Sequence, residues 1–146
     1  KKNSLKFSTK KCRAEIAKGD DFIIAKPQTY MNLSGDSVYE LKRYFKVPLE
    51  NILIVLDDID MPKGKVRYRT VGSAGTHNGL RDIVNKVGIT PRLRVGIGRD
   101  SRMDLKDYVL SSIDQASKET LLVAYDNACE LIEKFIAGDL CQDTTI

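Results

Sequence analysis

The only histidine of the chain, His77, lies in a glycine-rich stretch at residues 72–80 with the sequence GSAGTHNGL. Histidine is the one side chain that ordinarily changes charge near neutral pH, so this position is a candidate for proton transfer. Asn78 follows it, and an asparagine amide offers a donor and an acceptor that could hold a carbonyl group or a water molecule. The alternative is structural, because Thr76 or Asn78 could simply begin a helix after a glycine turn.

A second cluster of polar residues follows an apolar run. Residues 51–56, NILIVL, are too few for a typical helix and rich in strand formers, which predicts a central strand covered on both faces. Asp57, Asp58 and Asp60 come directly after it, where ligands bind in open α/β sheets. Asp57 could orient an imidazole, the three carboxylates could bind Mg²⁺, or the segment could be a solvated turn.

A third group of candidates lies in residues 26–35, KPQTYMNLSG. Asn32 could present its side-chain amide to a ligand carbonyl, with Tyr30 and Met31 beside it, or it could begin a helix. The unusual composition of this segment favours a function in binding.

Basic residues surround the glycine-rich stretch in the sequence, and they are Lys63, Lys65, Arg67, Arg69, Arg92, Arg94, Arg99 and Arg102. Residues two apart in a strand share a face, so Arg67 with Arg69, and Arg92 with Arg94, could present paired charge to phosphates. The alternative is a solvated sheet edge whose charged side chains prevent it from pairing with another chain. Tyr68 would face the opposite side, which argues against a base-stacking platform there.

Composition narrows the class of protein. A chain of 146 residues, 42% of them hydrophobic, fits one compact domain over residues 1–146. Three cysteines without CxxC spacing argue against a disulfide framework and a zinc site, which favours a reduced, cytoplasmic setting. No apolar run is long enough to cross a membrane, and a net charge of +4 permits a nucleic-acid partner without requiring one. We expect a monomer with no metal ion and no membrane partner.

The first half of the chain predicts a hairpin and a helix. A turn at residues 18–21 joins two short strands, while residues 1–11 are polar and are expected to become ordered only when something binds them. A helix follows, with Ser37 and Glu40 at the spacing of a capping box, and it ends before Pro48.

The second half predicts further strands and helices packed on a mixed sheet. The expected fold class is α/β, a single domain with a mixed, mostly parallel central sheet flanked by helices. The elements are strands at residues 65–70 and 92–98, a helix from residue 77 or 78, a short apolar element at 105–110, and a helix over 117–136 that turns Leu121, Tyr125, Ala128, Ile132 and Phe135 toward the core.

Several of these segments together resemble the bacterial-type peptidyl-tRNA hydrolase family. Residues 26–35 are similar to its first internal signature, residues 57–64 and 75–80 to the central one, and residues 92–99 to a third. The resemblance runs from about Cys12 to the last helix, and motifs in this order are highly specific. It implies a phosphorylase/hydrolase-like fold and an esterase that cleaves the bond between a peptide and the 3′ ribose of tRNA, without a metal ion or an organic cofactor.

The resemblance also implies a role for each candidate. Asp57 is the carboxylate that orients a catalytic histidine, and Asn32 positions the substrate carbonyl or stabilises the oxyanion. His77 and Asn78 shape the substrate and water side of the cleft. The residues expected to bind the substrate are Tyr30, Met31, Asn32 and Asn78, and those expected to bind tRNA phosphates are Arg69, Arg94, Lys63, Lys65 and Arg67.

The sequence departs from the family in one respect. The family's N-terminal strand, its Gly-Asn-Pro-Gly type loop and the Arg-His-Asn segment that bears the catalytic histidine have no counterpart here. We therefore expect an N-terminally truncated domain with impaired hydrolysis, and an open edge beside the strand at residues 51–56. The alternatives are a non-catalytic RNA-binding module on the same fold and a Mg²⁺-dependent phosphoesterase built on Asp57, Asp58 and Asp60.

Overall fold

The structure is a computed structural model, and it describes residues 4–99 and 115–146. The chain divides into two compact units, which are Lys1–Ile52 with Val71–Thr90 and Leu53–Thr70 with Pro91–Ile146. Arg102 and the apolar element predicted at residues 105–110 lie outside the described residues. A single domain over the whole chain stays a prediction.

The first unit opens with an antiparallel sheet of three strands, β1 (Thr9–Lys11), β2 (Ala14–Lys18) and β3 (Ile23–Pro27), in the order β1-β2-β3. The predicted hairpin around residues 18–21 is confirmed, because β2 pairs with β3 on either side of that turn. The prediction that residues 1–11 lack order of their own is wrong for β1, which pairs with β2.

A two-residue turn joins β1 to β2, and it consists of Cys12 and Arg13. Both have left-handed backbones, with φ of 55° and 56°. Turns of this type normally take Asn-Gly, because most side chains disfavour positive φ. Tertiary hydrogen bonds hold the turn in place, since the Ser37 hydroxyl donates to the Cys12 carbonyl at 2.8 Å and the Gln28 amide donates to the Arg13 carbonyl at 2.7 Å.

Two helices complete the first unit, α1 (Ser34–Phe45) and α2 (Asn78–Lys86). The predicted capping box is wrong: α1 begins at Ser34, directly after a 3₁₀ turn over Met31–Leu33, and Ser37 is buried inside the helix. The Ser34 hydroxyl donates to the Met31 carbonyl at 2.7 Å, which links the 3₁₀ turn to the helix. The helix ends before Pro48, as predicted.

The second unit is built on a sheet of four strands, β4 (Ile54–Asp58), β5 (Val66–Arg69), β6 (Arg92–Gly96) and β7 (Thr144–Thr145), in the order β4-β6-β5-β7. An α/β fold with a mixed sheet is therefore confirmed. The predicted predominance of parallel pairing is wrong for the described strands, because only β4 and β6 are parallel, while β5 runs against both β6 and β7.

The strand predicted at residues 51–56 begins later and is less covered than expected. A 3₁₀ turn over Leu49–Asn51 precedes it, so the strand starts at Ile54 and extends to Asp58. Among the described strands, β4 has a neighbour on one side only, and the Val55 side chain is half exposed. The prediction of an open edge is confirmed for the described residues, whereas the prediction of a central strand is not.

The core of the second unit lies between the sheet and helix α3 (Gln115–Ala137). Alternate residues of β5 and β6, including Tyr68 and Leu93, pack against the small side chains Ala124 and Ala128 of α3. Tyr125, predicted to face this core, is exposed, because Ala124 and Leu131 occupy the inward positions instead. In the part of the chain that the structure describes, no helix is long and apolar enough to cross a membrane.

Candidate functional site

Two sequence motifs meet in the first unit, at the starts of α1 and α2. Gly79 lies in the first turn of α2 and is buried against the 3₁₀ turn that precedes α1. A β-carbon at Gly79 would lie 2.6 Å from the Met31 sulfur and 3.0 Å from the His77 Cε1 atom. The absence of a side chain at residue 79 is what allows the Met31 and His77 segments to come together.

A second glycine fixes α1 on α2. The Gly35 amide donates to the Asp82 carboxylate at 2.7 Å, and a β-carbon at Gly35 would lie 2.6 Å from the Asp82 carbonyl oxygen. Lys86 ties the same helices together through Asp36 at 2.7 Å and Asp82 at 3.1 Å. The hydrogen bond from Lys86 holds the pKa of Asp36 below its usual range. Sequence reasoning missed Gly35 and Asp82, although a glycine on the inner face of a predicted helix indicates close helix packing.

His77 is the N-cap of α2, and its ring accepts the Leu80 amide proton at Nδ1, at 3.1 Å. A backbone N–H can only donate, so Nδ1 must hold a lone pair, and the neutral ring then carries its proton on Nε2. The lone pair of Nδ1 is thus engaged by the backbone of α2. A helix does begin in this segment, but the expected cap is wrong, because His77 caps it rather than Thr76 or Asn78. A part for His77 in the reaction stays a prediction.

The cap makes a testable prediction about stability. His77→Ala should lower the free energy of unfolding by about 1 kcal/mol, because the N3 amide of α2 loses its acceptor. His77→Asn should lose much less, because asparagine caps helices through its side-chain oxygen. Urea denaturation of the three proteins measures both changes. Equal destabilisation by the two substitutions would mean that the capping bond contributes nothing.

Asn32 and Asn78 present free amide groups beside this junction. Both side chains are exposed, and neither makes a hydrogen bond to any residue in the ranges 4–99 and 115–146. Tyr30 is 82% exposed and Met31 is also exposed, so the entrance to α1 carries apolar surface next to the Asn32 amide. The junction thus offers polar groups for a ligand carbonyl or water and apolar groups for a ligand side chain.

The acidic cluster of the second unit lies at the end of β4. Asp57 and Asp58 are the last residues of the strand, so their side chains point to opposite faces of the sheet. Asp58 pairs with Arg94 at 3.1 Å, with both side chains only 12% exposed, and it also accepts the Asp60 amide at 2.8 Å. Asp60 pairs with Arg99 at 2.8 Å.

These pairings bear on the magnesium alternative. Among the described residues, no three His, Cys, Asp or Glu side chains are placed to hold a metal ion. Two of the three carboxylates proposed as ligands already bind arginines, so Asp57, Asp58 and Asp60 do not form a ligand set.

Four arginines share the face of the sheet opposite α3. Arg67 lies across from Arg94 and Arg69 across from Arg92. This confirms that each predicted pair shares a face, and it places both pairs on the same one. Arg92 is only 1% exposed, and burial together with the nearby Arg94 charge lowers its pKa. Arg69 donates to the Tyr68 and Thr144 carbonyls and to the Thr145 hydroxyl, at 2.7, 3.3 and 3.1 Å.

The arginines predicted to bind tRNA are therefore partly occupied within the second unit. Arg94 forms an ion pair with Asp58, and Arg69 donates hydrogen bonds to the C-terminal strand β7. Lys63 and Lys65 are exposed, and Lys63 donates to the Ser117 hydroxyl at 2.6 Å. Phosphate binding by these five residues stays a prediction.

Comparison with known proteins shows which family the chain belongs to. A family profile described as "Peptidyl-tRNA hydrolase" matches residues 1–145. The chain belongs to the peptidyl-tRNA hydrolase family. Its relatives include the peptidyl-tRNA hydrolase of Chloroflexus aggregans, 40% identical over 95% of this chain and 78% of that protein, and the one of Chloroflexus aurantiacus, 42% identical over 90% and 76%.

Solved structures of the peptidyl-tRNA hydrolase family share the fold. The crystal structure of peptidyl-tRNA hydrolase from Acinetobacter baumannii superposes with a TM-score of 0.84 at 33% identity, covering 92% of this chain and 72% of that one. The complex of peptidyl-tRNA hydrolase with N-propanol gives a TM-score of 0.84 at 32% identity. The chain therefore spans about three-quarters of the relatives that it matches.

Proposed function

We propose that this chain hydrolyses peptidyl-tRNA, cleaving the ester between the peptide and the 3′ ribose. Water attacks the ester carbonyl carbon, and the ribose 3′ oxygen leaves with a proton. The observation that supports this most directly is the pair of free amides, Asn32 and Asn78, beside the junction that Gly35 and Gly79 make possible. The substrate is a tRNA ester, and no metal ion is needed for these steps.

Each group has a role that its chemistry permits. The Asn32 amide can donate to the carbonyl oxygen as negative charge develops there, which is the largest single contribution in many acyl transfers. The Asn78 amide can hold the substrate or the attacking water. Asp57 is proposed, from the family resemblance, as the carboxylate that orients the family's catalytic histidine, for which these 146 residues have no counterpart. We also propose a monomer that acts in the cytoplasm, where a tRNA substrate is found.

The rate of this reaction is the first test. Because the only imidazole in these 146 residues caps α2, general base catalysis worth roughly 10²–10⁴-fold should be missing. The purified chain should release N-acetyl amino acid from N-acetyl-aminoacyl-tRNA faster than water alone, but slower by about that factor than the Chloroflexus aggregans relative. EDTA should change nothing.

Other outcomes would assign the chain differently. Turnover equal to that of the relative would show that no histidine base is missing. Tight tRNA binding with no acceleration over spontaneous hydrolysis would favour the non-catalytic RNA-binding module, which the four-arginine face of the sheet also fits.

A further inference from the structure

The positive charge of this chain is unevenly divided between its two units. The first unit holds thirteen Lys and Arg against seven Asp and Glu, a formal charge of +6, whereas the second holds eleven against thirteen, a charge of −2. The net charge of +4 therefore comes entirely from the first unit. Clustered positive charge on one part of a protein is the electrostatic signature of nucleic-acid binding.

Much of this surplus lies on one surface, built from the last turns of α1 and the facing hairpin. Lys11 approaches α1, where its Nζ donates to the Tyr44 hydroxyl at 2.7 Å and lies 4.1 Å from the ring centroid. Lys18, at the end of β2, lies 5.8 Å from the Phe45 ring centroid. We call this the α1 basic surface, and its cations are Lys11, Lys18, Lys42, Arg43 and Lys46.

Aromatic rings interleave with these cations. Arg43 lies 5.6 Å from the Tyr39 ring centroid and donates to the Tyr39 hydroxyl at 3.2 Å. Tyr39 and Tyr44 are both substantially exposed, so their rings and hydroxyls are open to a ligand. The hydrogen bond and the charge of Lys11 lower the pKa of Tyr44.

The acidic side chains nearby do not neutralise the α1 basic surface. A groove on this surface is lined by Tyr39, Arg43 and Tyr44, and also by Asp36 and Glu40. Asp36 pairs with Arg13 and Lys86, and Glu40 pairs with Arg13. Within residues 4–99 and 115–146, none of the five cations of the surface has a carboxylate within 4.0 Å. Their charges are available to an external anion.

We propose that the α1 basic surface binds the phosphate backbone of tRNA. This inference rests on the proposed function, which supplies a polyanionic substrate much larger than the reacting ester. It places phosphate contacts in the first unit, in addition to any made by the partly occupied arginines of the second. Exposed Lys and Arg with tyrosine hydroxyls and rings are the usual composition of surfaces that follow an RNA backbone.

The test measures tRNA binding as a function of salt. The variant Arg43→Gln with Lys46→Asn removes two positive charges, and asparagine tolerates the left-handed backbone of Lys46, whose φ is 54°. Its Kd for fluorescent deacylated tRNA at 100 mM KCl should rise roughly ten-fold. The slope of log K against log salt should become shallower by about one unit per lost phosphate contact.

A matched control removes the same charge elsewhere. Lys118→Gln with Lys134→Gln changes two exposed residues of α3 and should shift the Kd less than about two-fold, with the salt slope unchanged. Equal shifts in the two variants would mean that only net charge matters, and no shift in the first would mean that the surface does not meet RNA. Equal competition by polyaspartate would assign the surface to acidic polypeptides. Each of these results overturns the proposal.

The hydrolysis assay separates this inference from the proposed function. If the chain releases no amino acid but tRNA binding keeps the expected salt dependence, the proposed hydrolysis is refuted and the proposed tRNA-binding surface is not. A chain that hydrolyses the ester, but whose Arg43→Gln with Lys46→Asn variant binds tRNA like the original, refutes only the surface.

Discussion

Replacing Asn32 by aspartate should lower the rate of ester hydrolysis by about 10²–10³-fold, which is the loss expected when one oxyanion donor is removed. The two side chains have nearly the same shape, but the carboxylate accepts where the amide donates, and it brings negative charge to the place where the oxyanion forms. In a chain whose only histidine caps a helix, most of the remaining acceleration, roughly 10³–10⁴-fold over water, should depend on such donors and on binding.

The measurement is single-turnover release of N-acetyl amino acid with the protein in excess, after subtraction of spontaneous hydrolysis. Stability should not fall, because Asn32 is exposed beside the start of α1, where a negative charge is favourable. Asn85→Asp, the same change on the exposed side of α2, is the matched control and should leave the rate unchanged. An Asn32→Asp protein that hydrolyses at the original rate would remove Asn32 from the mechanism.

The Gly35→Ala substitution should destabilise the protein by about 1–3 kcal/mol, although glycine-to-alanine changes inside helices normally stabilise by up to about 1 kcal/mol. The opposite sign follows from packing, because the new methyl group would lie 2.6 Å from the Asp82 backbone oxygen and 2.8 Å from its carboxylate. Backbone atoms cannot rotate away, so α1 and α2 must separate and the Gly35 hydrogen bond to Asp82 must lengthen.

Urea denaturation tests this prediction, with Gly79→Ala as a comparison. At Gly79 the nearest atom is the Met31 sulfur, at the flexible end of a side chain, so the loss of stability there should be smaller. Asn85→Ala, an exposed position of α2, should be neutral or slightly stabilising. A stabilised Gly35→Ala protein would mean that the two helices are not held at this distance.

The arginine face shows what the sequence could and could not predict. Strand alternation correctly placed Arg67 with Arg69 and Arg92 with Arg94 on one face, because side-chain direction in a strand depends only on local geometry. Their partners were not predictable, since Asp58, Asp143 and the β7 backbone reach them only through tertiary pairing. The direction of pairing in the sheet was missed for the same reason.

The candidate site divides in a similar way. The motifs that contain Met31, Asn32 and His77 were visible in the sequence because their residue types are unusual in combination. The hydrogen bond by which Leu80 donates to His77 could not be predicted, because histidine is not among the residues most often found at N-caps. The ring that first suggested proton transfer therefore has a structural role, as a helix cap, that only the folded structure shows.

The left-handed turn at Cys12 and Arg13 has a consequence for the electrostatic potential of the first unit. An Asn-Gly pair would relax the backbone, but it would remove the Arg13 guanidinium that binds Asp36 and Glu40. Without the Arg13 charge beside them, those carboxylates would weaken the positive electrostatic potential of the groove that Arg43 lines. The hairpin thus gives up local conformational stability, and in return two acidic side chains stay paired next to the surface that we propose binds tRNA.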